Sequence, residues 1–151
     1  MSRRPDPLDS GFRNAYGAGL ALCVAWPLAL QVLLGRAIPP GSAAPGPGVQ
    51  DLGYTFTGLT LVCAFFVSRR WARVRMGFRA VAAERRPRVL VRETLLYSAL
   101  CVLSSLFGLC TYALGGPHAG RYARGFIALS TLMFFVFVPR LQAWREAAQG
   151  E

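Results

Sequence analysis

TLLYSALCVLSSLFGLCTYALGGP, residues 94–117, runs for two dozen positions without an Asp, Glu, Arg or His. A soluble amphipathic helix of that length would carry charge along its outer face. A membrane span needs roughly 20 mostly apolar residues to cross a hydrocarbon core of about 30 Å. The run meets that length and stops at Gly115-Gly116-Pro117, a strong break signal.

The same charge segregation recurs outward from it. Residues 14–35, 52–68 and 125–139 also lack Asp, Glu, Arg and His. The second and fourth runs are short for a crossing, but their flanking arginines can extend toward the headgroups. The first run exceeds the 7–15 residues of a signal-peptide core and reads as a retained span. The expected fold is therefore an all-α membrane protein, a four-transmembrane-helix bundle forming one domain over residues 1–151. Its spans are placed at about 14–36, 52–70, 90–115 and 122–141. An arginine-rich loop at 69–92 lies in the middle, and a Pro/Gly-rich loop follows the first span. Pro27 is expected to kink the first span. Trp71 and Trp144 are expected as interfacial anchors, and Pro87 as the end of an amphipathic segment carrying Val74, Phe78 and Val81.

All seventeen basic residues are arginine, against seven acidic ones, for a net charge of +10. Fourteen of them fall on the side shared by the N-terminus, the middle loop and the C-terminus, and three (Arg36, Arg121, Arg124) on the other. The positive-inside rule then places both ends in the cytoplasm, N-in/C-in. A bacterial cytoplasmic (inner) membrane is the expected location. Four spans explain the charge through anionic lipid headgroups, so nucleic acid is not an expected partner. Short matches between spans one and three (Ala21–Val24 with Ala99–Val102) and between spans two and four (Thr60-Leu61 with Thr131-Leu132) are the pattern that two parallel-repeat hairpins would leave.

Small residues recur at Gly11, Ala15, Gly19 and Cys23, and again at Ser98, Cys101, Ser105 and Gly108. On helices these spacings make faces that let backbones approach closely. They serve contacts within the chain or between copies, and a homo-oligomer or a subunit of a larger membrane complex is the expected state. Arg69, Arg70, Arg73, Arg79, Arg85, Arg86 and Arg88 are the candidate lipid or partner contacts. Gln31, the one sizeable polar side chain in the span cores, either lines a polar path or bonds a neighbouring helix.

Catalytic and cofactor chemistry finds few residues to work with. The four cysteines (Cys23, Cys63, Cys101, Cys110) lie in apolar runs without a C-x-x-C motif. His118 is the single histidine, too few for a metal set within the chain. No cofactor and no catalytic or metal residue is assigned. Ion-coupled transporters use Asp, Glu, Lys, Arg or His inside a span, and the apolar runs hold none of these. The leading expectation is a small non-catalytic membrane subunit or scaffold that packs against partner helices, with its arginine-rich loop on anionic lipid or protein. An oligomeric transporter or channel for a neutral solute is the alternative, to be marked by a cavity lined by Gln31 and hydroxyls. A lipid-modifying enzyme is the third, to be marked by a cleft joining Glu84 or Glu93 to the arginines.

Overall fold

The computed structural model describes residues 7–37 and 47–149, all helices and turns with no strand among the described residues. Most of the Pro/Gly-rich segment lies outside them. Three stretches are long and apolar enough to cross a membrane: Leu8–Arg36, Gly48–Phe78 and Arg86–Gln149. The first comprises α1 (Pro7–Leu20), a π-helical turn (Ala21–Ala25) and α2 (Trp26–Ala37). The second is α3 (Pro47–Phe78). The third folds back on itself, as α4 (Arg86–Gly115), a 3-10 turn (Gly116–Ala119), α5 (Gly120–Phe137) and α6 (Leu141–Gln149). Gly116 makes that reversal possible with a φ of +58°, which side-chain-bearing residues rarely adopt.

Prolines set the other boundaries, not always where the sequence placed them. Helix α3 ends at Phe78, and Arg79–Arg85 form turns. Pro87 falls in the first turn of α4 and so opens that helix instead of closing the previous one. Its missing N–H costs nothing there, because first-turn donors have no intrahelical acceptor. The segment 69–92 is accordingly mostly helix. The last span, expected to continue to residue 141, breaks at Val138, which is extended (φ −80°, ψ 118°). Pro139 forces this, since the residue before a proline is driven out of the helical region. Beyond the break α6 turns back onto the bundle.

Helices α4 and α5 form the central antiparallel pair: Ser104 Oγ donates to the Phe126 carbonyl at 2.8 Å, and Gly108 sits against Ala123 and Ile127. Along one side run α1 and α2. Gly11 lies against Val91, and Gly19 against Ser98 and Phe134. Along the other runs α3, where Phe56 stacks on Phe107 with centroids 4.8 Å apart. Close packing of α1 with α3 is not seen, whereas α4 and α5 pack along their length. The two hairpins therefore differ in their internal packing, and nothing in these contacts adds to the repeat suggested by the sequence.

Pro27 produces a π turn in place of a simple bend. It cannot donate to the Cys23 carbonyl four residues back. The turn widens instead, with the Trp26 N–H bonded to the Ala21 carbonyl. Thr131 of α5 supplies the missing donor, its hydroxyl lying 2.7 Å from the Cys23 carbonyl. An apolar surround makes an unpaired backbone carbonyl costly, so this bond ties α5 to the defect in its neighbour. Cys23 itself is fully buried and donates its thiol to the Ser98 carbonyl at 3.2 Å.

Candidate functional site

An α-helix rises 1.5 Å per residue, so the 32 residues of α3 span about 48 Å. That is longer than a bilayer core, and the excess gathers at one end of the bundle. There the last turns of α3, the turn at Arg79–Arg85, the start of α4, and α6 come together. Aromatic packing fixes them: the Trp144 ring of α6 meets Trp71 at 4.8 Å and Phe78 at 5.0 Å, both edge-on. Trp144 is fully buried, a core residue and not the interfacial anchor its position in the sequence suggests. A salt bridge of 2.8 Å from Arg145 to Asp9 ties α6 to the beginning of α1.

Between the end of α3 and the start of α4 lies an open cleft of about 740 Å³. This falls within the roughly 300–1,000 Å³ of ordinary ligand pockets. Its walls change character along their length. Phe65 and Phe66 line the part toward the middle of the bundle, and Arg69, Arg73 and Arg92 the part toward its end, with Glu93 at the base.

Glu93 is the fixed point of the cleft. Its side chain is 2% exposed although it stands two turns inside α4. Helical phase turns it toward α3, where Arg70 grips it with two parallel bonds, Nε to Oε2 and Nη2 to Oε1, the latter 2.8 Å. Such bidentate pairs are the strongest guanidinium–carboxylate geometry. Arg92 reaches the same carboxylate at 3.3 Å. One acidic group is thus shared by two arginines, and the cleft retains an excess of positive charge. Arg69 lies over the Phe65 ring, 5.3 Å from its centroid, a cation–π contact that poises its guanidinium at the rim. Arg73 is exposed and forms no ion pair among the described residues.

The seven arginines picked from the sequence do not form one cluster. Arg69, Arg70 and Arg73 line the cleft. Arg79 lines a separate hollow beside Trp71 and Ala147. Arg86 is spent on local structure, donating to the Val81 and Arg79 carbonyls at 3.0 Å each and closing the turn. Arg85 and Arg88 are exposed. Of the cleft residues, Arg92 was not singled out, and Glu93 was named only as an acid that a cleft could join to the arginines. The available signal was the placement of Glu93 at the border of the longest apolar run, amid arginines.

The remaining candidates serve the packing of this chain upon itself. The face carrying Gly11, Ala15, Gly19 and Cys23 lies against α4, where Ser98 is its closest partner. Cys101, Ser105 and Gly108 are buried as well, and Gly108 faces α5. Gln31 donates to the Arg124 carbonyl at 2.7 Å, bonding a neighbouring helix. His118 is exposed in the 3-10 turn. No family model matches this chain, nor does any curated protein or solved structure.

Proposed function

We propose that this chain is an integral membrane protein of four crossings with both ends in the cytoplasm, acting as a non-catalytic subunit or scaffold whose arginine-rich end engages anionic lipid at the inner leaflet. The single observation that carries the reading is the co-location of charge. Exposed guanidinium groups of Arg69, Arg73, Arg79, Arg85 and Arg88 belong to the same end of the bundle, directly beyond the long apolar helices. Basic residues beside an anionic leaflet each contribute roughly 1 kcal/mol of attraction. The antiparallel return of α5 along α4 supports a fourth crossing. The α1–α6 salt bridge supports placing the N-terminal end of α1 and the end of α6 on one side.

Two experiments test this. A reporter placed after the C-terminus or within the turn at Ala82 is expected to behave as cytoplasmic, and one near Ala44 as external. Finding Ala44 and Ala82 on one side would overturn the arrangement. Separately, the full chain in nanodiscs is expected to melt higher in phosphatidylglycerol than in phosphatidylcholine, with the difference shrinking as salt rises. A salt-independent difference, or none, would remove the lipid role.

The cleft also supplies the feature expected of a lipid-modifying enzyme, a carboxylate joined to the arginines. Binding is better supported than chemistry. Both oxygens of Glu93 are held by Arg70, and among the described residues no serine, cysteine or histidine lines the cleft. The transporter reading receives less support, because Gln31, Ser104 and Thr131 all bond neighbouring backbones.

A further inference from the structure

We propose that the α3–α4 cleft is a discrete site for one anionic phospholipid, its phosphate held among Arg69, Arg73 and Arg92 and an acyl chain laid along Phe66 and Phe65. This deepens the lipid-engaging reading above and rests on it, but makes a narrower claim: one molecule in one place, not a diffuse attraction to the leaflet.

The chemistry of the walls selects the ligand. Four arginines face one glutamate in the cleft. Arg70 is consumed by Glu93, which also takes a share of Arg92. What remains for a ligand is cationic and rich in N–H donors that match phosphate oxygens. A soluble anion would need only that end. The cleft, however, opens onto an apolar column of α3, because residues three and four apart share a helical face. Leu61, Val62, Phe65 and Phe66 are all exposed and lead up to Arg69 and Arg73. A ligand filling the whole surface is anionic at one end and long and apolar at the other. An acidic protein segment would match the arginines but leave the aromatic wall unused.

The Arg70–Glu93 pair has a positioning part in this site. It joins α3 to α4 at the base of the cleft and so fixes the separation between Arg73 on one wall and Arg92 on the other. A lipid phosphate would bridge the same two helices from above.

The test is native mass spectrometry of the full chain released from detergent micelles containing phosphatidylglycerol or phosphatidylcholine. Wild type is expected to retain one phosphatidylglycerol, at least tenfold in excess over phosphatidylcholine. The double variant Arg73→Gln, Arg92→Gln should lose that adduct by about tenfold. The double variant Arg79→Gln, Arg85→Gln removes the same charge outside the cleft and should keep it. Thermal melts of both variants, matched to wild type, establish that each is folded. If the cleft pair does not fold, the single variant Arg73→Gln replaces it, and if the control pair does not fold, the single variant Arg79→Gln replaces it. Millimolar inorganic phosphate should leave the adduct in place, and displacement would show an anion site without a lipid. Equal loss from both double variants would overturn the discrete site while leaving the broader attraction to anionic lipid intact. No preference for phosphatidylglycerol in wild type would overturn both and direct the arginines toward an acidic protein partner.

Discussion

Arg70→Ala is expected to destabilise the bundle by about 3 kcal/mol, the scale of breaking a buried ion pair from one side. Glu93→Gln at the other end of the same pair should cost only about 1 kcal/mol, the net worth of a lost hydrogen bond. The asymmetry follows from burial. Glu93 is 2% exposed, and removing Arg70 leaves its carboxylate enclosed with only the longer contact from Arg92. Arg70 is 31% exposed and has a long flexible stem, so without its partner the guanidinium can turn outward to water or headgroups. Glutamine also keeps an oxygen able to accept one of the two bonds. Denaturant or thermal melts of the full chain in one detergent would read the difference. Equal costs for the two variants would show that the pair is as solvated at Glu93 as at Arg70. Arg70→Lys refines the point. It retains the charge but loses the two-pronged geometry, and should fall between the other two.

That pair marks the boundary of what the sequence makes legible. Long apolar runs announce helices that suit a membrane because each backbone polar group must be satisfied within its own segment. The pattern is therefore local, and it can be read without knowing the neighbours. Small residues at three- and four-residue spacing are local too, and Gly19 and Gly108 both sit at close helix approaches. The role of Glu93 is not local. Read along the chain it is one acid in an arginine-rich stretch. Only the phase of α4, set by where that helix begins, turns it inward onto Arg70 rather than outward. Trp144 shows the same limit. A tryptophan just past an apolar run suggests an interfacial ring, but the break at Val138 swings α6 back and buries it against Trp71 and Phe78. That break was encoded in Pro139 and its effect on the preceding residue. The direction taken after it depends on the aromatic surface that α3 offers.

Gly108→Ala tests a close backbone approach in the central helix pair. A Cβ at this position would lie 2.6 Å from the Ala123 carbonyl oxygen and 2.8 Å from Ile127 Cγ1. The first obstacle is backbone and cannot swing aside, so α5 must move away from α4 as a unit. At Gly19 the obstacles are side chains and not backbone, Ser98 Oγ at 2.5 Å and the Phe134 ring at 2.6 Å. Overpacking of this kind costs about 1–3 kcal/mol. Alanine recovers part of that through its better helix propensity, by about 1 kcal/mol relative to glycine. Gly58→Ala supplies the baseline, since among the described residues nothing lies within 4 Å of its would-be Cβ and the substitution there should stabilise slightly. The two alanine variants are expected to differ by about 2 kcal/mol. Gly108→Leu should be worse than either, because its branches would have to enter space already filled by Ile127. Gly19→Leu should be intermediate, because it meets side chains where Gly108 meets backbone. Melting curves of these variants in one detergent give the ranking directly. If Gly108→Ala melted with Gly58→Ala, α4 and α5 would have to be free to separate at no cost. The Ser104 hydroxyl bond to the Phe126 carbonyl, one turn from Gly108, would then have to be formed only part of the time.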